Sequence, residues 1–184
     1  KQRFLKNMLM NLKTISQIKS KLKNYLKDKE ILDIIVFGST IKGKSLPKDT
    51  DIAIITEKNT RISIPEFHVS ILNLKDFFSN PPSLINTLLR EGYSLKRNKF
   101  FSEIYGFTPR VIYNYKLTSL NLSTKVKIVN FLRGKSKQQG LVQQNKGKWL
   151  ANNIFIIPIE NDYIFEQFFL NHKIEYTKSF ALMH

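Results

Sequence analysis

The chain has 184 residues, 42% of them hydrophobic, and a net charge of +16. Fourteen Phe, seven Tyr and one Trp argue against disorder, and without an apolar run of about 18 residues there is no candidate membrane-spanning helix. With no cysteine there is neither a disulfide nor a thiolate metal site, which fits a cytoplasmic protein.

Residues 1–30 read as an amphipathic helix. Phe4, Leu5, Met8, Leu9, Leu12, Ile15, Ile18, Leu22 and Leu26 recur at spacings of three and four, and lysines fill the other face. The run "DIIVFG" (33–38) is a short strand ending on glycine, and "STIKGK" opens a turn or short helix. After a loop at Pro47–Thr50 come strands at 51–56 and 66–72, then a helix over 83–91 stopped by Gly92. "YSLKRN" is a last strand of this unit.

From Ile104 the character changes. Residues 104–118 are aromatic with little periodicity, a helix capped by Ser123 runs to about Leu132, and "RGKSKQQG" and "QQNKGKW" read as loops. A strand (154–159), the helix "DYIFEQFFLNH" and a final strand complete the chain. These elements predict an α/β (α+β) protein in three parts: the basic helix 1–30, a mixed-sheet domain with flanking helices over 31–103, and a basic α+β domain over 104–184.

The charge is unevenly spread. Lys outnumbers Arg 24 to 6, as codon bias alone would produce. Codon bias adds lysines, however, and does not remove acids. Between Ile104 and Ile159 there is no Asp or Glu, yet nine basic residues lie between Arg110 and Lys148. That segment is the candidate nucleic-acid surface, with Arg110, Lys125, Arg133, Lys135, Lys137, Lys146 and Lys148 as phosphate contacts. Trp149 is a candidate for base stacking, although a lone Trp more often belongs to the core.

The chemistry concentrates in "VFGSTIKGKSLPKDTDIAII" (36–55). Residues two apart on a strand share a face, so Asp49 and Asp51 point the same way if the strand includes both. Two such carboxylates repel unless a cation lies between them, and hard oxygen donors suit Mg²⁺ (or Mn²⁺). Gly38 permits close approach of a phosphate, and Ser39 and Lys42 follow it. Turn chemistry explains Asp49, but not Asp51 set directly against Ile-Ala-Ile-Ile. Glu66 and His68 fall on one face of the next strand.

Gly-Ser after an apolar strand, then about ten residues, then Asp-x-Asp before an apolar strand, resembles the DNA polymerase beta-like nucleotidyltransferase superfamily in its minimal form. The resemblance covers roughly residues 31–101. It implies transfer of a nucleoside monophosphate from an NTP to a hydroxyl by a two-metal mechanism. Gly38, Ser39 and Lys42 would hold the nucleotide. Asp49 and Asp51 would hold metal, with Glu66 as third carboxylate and His68 as the alternative third residue. The acid-free segment makes RNA, such as a tRNA end, the expected acceptor. Two alternatives stand beside this reading. One is a toxin–antitoxin-type nucleotidyltransferase that modifies a protein or tRNA. The other is an inactive nucleic-acid-binding or ribonucleoprotein component that keeps the fold.

Overall fold

A computed structural model describes residues 14–42, 50–57, 61–136 and 138–184. The predicted positions Asp49 and Lys137 lie outside the described residues, as does most of the first half of the 1–30 helix. The visible part of that helix covers residues 14–21 and resumes after a turn at Leu22 as α1 (Lys23–Lys27).

The first sheet comprises β1 (Ile31–Phe37), β2 (Thr50–Thr56), β3 (Phe67–Asn73), β4 (Tyr93–Ser94) and β5 (Lys99–Phe100), in the order β3-β2-β1-β4-β5. The pair β2–β3 is parallel and the others are antiparallel, so the sheet is mixed as expected. The single strand expected at "YSLKRN" is instead two short ones joined by a turn, with Asn98 at φ 57°. Two short helices follow β3: α2 (Asp76–Ser79) and α3 (Leu84–Glu91).

Alternation along the strands builds a core on each face. Ile34, Val36, Ile52 and Ile54 pack with Ile18 and Leu22 of the N-terminal helix. Ile35, Ala53, Ile55 and Leu72 pack with Leu88 of α3 and with Phe101. Helices therefore cover both faces. β1 and β2 are buried on both sides, which explains their unbroken apolar runs.

The second sheet holds β6 (Thr108–Lys116), β7 (Lys148–Ala151), β8 (Ile154–Pro158) and β9 (Glu175–Met183), all antiparallel in the order β7-β8-β6-β9. Its helices are α4 (Leu122–Arg133), α5 (Leu141–Gln144) and α6 (Asp162–Asn171). β6 occupies the stretch expected to lack periodicity. Its buried residues are Pro109, Val111, Tyr113 and Tyr115, a period of two hidden because Ile112 on the other face is also apolar. α4 begins two residues earlier than expected, capped not by Ser123 but by Asn121, whose side chain accepts the Thr124 N–H at 2.9 Å. The core here is aromatic: Tyr113, Tyr115, Phe155, Phe165 and Phe169 are fully buried and in mutual ring contact.

The two sheets meet where β1 ends. The Tyr163 N–H of α6 donates to the Lys42 carbonyl at 3.1 Å. Lys42 Nζ lies 2.7 Å from the Glu91 carboxylate at the end of α3. From the second sheet, Phe180 presents its ring to Lys42 at 5.7 Å and to the Arg90 guanidinium at 4.5 Å. Among the described residues no helix is long and apolar enough to cross a membrane.

Candidate active site

β1 runs into Gly38, which adopts φ +77° and opens a three-residue 3-10 turn, Gly38–Thr40. The turn turns back over β2, so the Gly38 α-carbon faces Asp51, the residue paired with Phe37. A Cβ at position 38 would stand 2.9 Å from Asp51 Oδ2. Both the left-handed backbone and this close approach require glycine. Ser39 is half-buried in the same turn, and Thr40 behind it is buried.

Asp51 is the second residue of β2, with a side chain 36% exposed. The parallel register sets His68 of β3 opposite it. His68 Nδ1 lies 3.3 Å from Asp51 Oδ1, and the imidazole is largely exposed. Asp51 and His68 share the face that carries Ala53, Ile55 and Leu72, at the end of the sheet where β1 stops. The arrangement is a carboxylate at the margin of an apolar sheet, reachable from solvent, with a glycine cradle on one side and an imidazole on the other.

Glu66 stands elsewhere. It precedes β3, has φ 69°, and forms an ion pair with Lys21 of the N-terminal helix. The expected strand beginning at 66 begins at Phe67, and that one-residue difference turns the Glu66 side chain away from the strand's alternation. Lys42 is likewise engaged, at Glu91 and Phe180. Asp33 is the other acid of β1. Its carboxylate accepts Ser94 Oγ at 2.7 Å and the Ile34 N–H at 2.8 Å, which occupies it structurally.

A hard cation fits this site in part. Asp51 offers an accessible oxygen donor, and the bare Gly38 lets that carboxylate lie close against the turn without a side chain between them. Among the described residues no cluster of three or more His, Asp or Glu is close enough to hold a metal. Asp49, directly before Thr50 in the sequence and outside the described residues, is the further carboxylate expected from the sequence.

The basic residues of the second sheet are not equivalent. Arg110 is half-buried on β6, between Pro158 and Ala181. Arg133 lies over the Trp149 ring at 4.0 Å and donates to the Asn152 carbonyl at 2.6 Å. It thus covers the indole of Trp149, which packs against the core as a lone Trp more often does. Lys125 is half-exposed on α4, while Lys135, Lys146 and Lys148 are exposed. Nothing in local pattern marks Glu91 or Tyr163 as partners of Lys42. They are distant in sequence and meet only through the packing of the two sheets.

Neither the search of curated proteins nor that of solved structures returned a match at the significance required. A model of the nucleotidyltransferase domain family matches residues 19–131, from the N-terminal helix through the first sheet and into α4. That span is more than half of the chain and contains the whole Gly38–Asp51–His68 arrangement. The strand, glycine turn and carboxylate-bearing strand are the frame of a transferase, and the chain belongs to the nucleotidyltransferase domain family.

Proposed function

We propose that the protein transfers a nucleoside monophosphate from an NTP to a hydroxyl of RNA. The observation that carries this is the approach of Asp51 to Gly38, with His68 beside it at the accessible end of the sheet. The triphosphate would lie along the Gly38–Ser39 turn, where glycine adds no side chain of its own. Asp51, together with Asp49, would hold Mg²⁺. When bound, that ion neutralises charge on the triphosphate and favours ionisation of the attacking hydroxyl. The acceptor hydroxyl would give its proton to His68, and its oxygen would form a bond to the α-phosphorus. The bond from that phosphorus to the bridging oxygen breaks, and pyrophosphate leaves with its electron pair.

His68 is the residue we assign to the acceptor side, because it meets Asp51, whereas Glu66 meets Lys21. The RNA acceptor is supported by the absence of any carboxylate from 104 to 159, within the segment we take as the second, RNA-holding domain. A reaction drawing on NTP and RNA suits the cytoplasm.

Incubation with each α-labelled NTP, Mg²⁺ and total cellular RNA tests the reading. Label is expected in RNA, and His68→Ala is expected to lower incorporation by roughly a hundredfold, the scale for loss of a group assisting proton transfer. Label in protein instead of RNA would replace the acceptor. RNA binding with no label anywhere would leave a nucleic-acid-binding protein that keeps the fold.

A further inference from the structure

The turn after α4 closes on itself. Gly134 ends the helix at φ +92°, and a Cβ there would meet the Gln138 carbonyl at 2.1 Å. A Cβ on Gly140, the residue before α5, would meet the Leu132 carbonyl at 2.2 Å. Two glycines thus let the chain leave α4 and return to its last turn within six residues. Gln144 Nε2 of α5 donates to the Gln139 carbonyl at 2.5 Å, which ties the returning strand of the loop to the helix that follows.

This closed loop forms one wall of an open cleft of about 430 Å³, whose other wall is α4. The cleft falls in the size range of small-ligand sites. Its lining includes Lys127, Lys135, Asn130, Gln139, Gln144 and Phe131, and no acid. Phe131 is 53% exposed although it is large and apolar. Its ring is seated flat on Phe168, with centroids 5.1 Å apart and planes 7° from parallel. The combination matches what an unpaired nucleotide requires: a ring for the base to stack on, amides for the base edge, and ammonium groups for the phosphates. A duplex, with its bases stacked inside, has no use for the ring.

We propose that this cleft holds an unpaired nucleotide of a single-stranded RNA. The inference rests on the reading of RNA as acceptor, and it moves the contact away from Arg133, which is committed to Trp149. Of the residues expected from charge alone, Lys135 is the one that lines the cleft among the described residues. Lys127, Asn130, Phe131, Gln139 and Gln144 join it.

The test is anisotropy of a short labelled single-stranded RNA of mixed sequence, titrated with the full chain without NTP. Phe131→Ala should weaken binding by about tenfold, within the range for loss of one base stack. Because that change also exposes Phe168, Gln139→Glu serves as an isosteric surface variant: it should weaken binding while leaving the melting temperature unchanged. Replacing Lys127 and Lys135 together with Gln should flatten the slope of log affinity against log salt by about 1.4, at roughly 0.7 per phosphate contact on a single strand. Wild-type affinity in all these variants would overturn the proposal, as would equal affinity for the same sequence as duplex or for poly-glutamate. Label incorporation separates the two readings. Transfer to RNA with cleft variants binding normally removes the cleft and leaves the reaction. RNA held through the cleft without transfer does the reverse.

Discussion

Two aspartates, one in each half of the molecule, show what distinguishes a structural acid from an available one. Asp162, at the start of α6, is fully buried. It accepts the Tyr113 hydroxyl and Lys178 Nζ at 3.0 Å, and Lys178 also reaches Glu166 at 2.9 Å. Asp51 keeps a side chain 36% exposed, and among the described residues that side chain meets the loose contact at His68 and the bare α-carbon of Gly38. A buried carboxylate must be saturated with partners, or its desolvation goes uncompensated. A carboxylate left open beside a cleared space has capacity for a ligand. The same residue type thus serves the fold in one sheet and, on the proposed reading, the chemistry in the other.

The sharpest break of that comparison is Asp51→Asn. Turnover should fall at least about a hundredfold, the scale for removing a principal electrostatic group of a transfer site, while the melting temperature stays near wild type. Gly38→Ala should act on the same site from the other side. Its methyl would enter the space at 2.9 Å from Asp51 Oδ2, and the left-handed backbone should cost about 1–2 kcal/mol in stability besides. Kinetics with thermal melts on both variants checks the pair.

In the second sheet the largest effect should be on stability. Phe155→Ala removes a fully buried ring that touches Tyr113, Tyr115, Phe165 and Phe169. Denaturant titration should show a loss of about 3–5 kcal/mol, with NTP affinity of the protein that remains folded unchanged.

Next in size is the titration of the Asp162 network. Burial first, and then the negative charge of Asp162, push the Tyr113 phenol far above its ordinary 10.0. Burial lowers Lys178, but its hydrogen bonds to Glu166 and Asp162 outweigh that and raise it above 10.5. Both groups hold their protons more tightly folded than unfolded. Their contribution is therefore complete below about pH 10 and is lost as the pH rises into the folded values. Melting temperature should decline steeply above pH 10. Tyr113→Phe should cost about 1.5–3 kcal/mol at neutral pH, the scale of a hydrogen bond to a charged group, and should make the alkaline decline shallower.

The smallest effect sharpens the contrast at Glu66. Its ion pair with Lys21 is exposed on both sides, at 57% and 66%. Lys21→Ala should change stability by less than about 1 kcal/mol. Glu66→Gln should leave turnover within a few-fold of wild type. A loss comparable to that of Asp51→Asn would return Glu66 to the reaction centre.

What the sequence reveals and what it hides follow from range. The strands β1 and β2, the helices α3 and α4, and the glycine before Asp51 are legible because each depends on neighbours in the chain. Strand β6 is harder to read because Ile112 interrupts a polar alternation that is otherwise regular from Arg110 to Lys116. β7 and α5 are too short for a period to register. In the sequence Arg133 looks like a phosphate contact and Trp149 like a core residue that could alternatively stack on a base. They become one stacked pair only when the end of α4 packs over β7. The fate of Glu66 turns on whether the strand starts at 66 or 67, the kind of boundary that pattern leaves loose.

The grip on Lys42 bears on whether either sheet can exist by itself. One residue gives its carbonyl to α6 and its ammonium to the end of α3, while Phe100 packs into the cores of both sheets. Severing the chain near residue 104 would leave the buried Glu91 and the ring of Phe180 facing water on opposite fragments. The two halves can be told apart by composition, yet Lys42 and Phe100 hold them in contact. A fragment ending at 103 would carry the site residues without the scaffold that anchors the start of their loop.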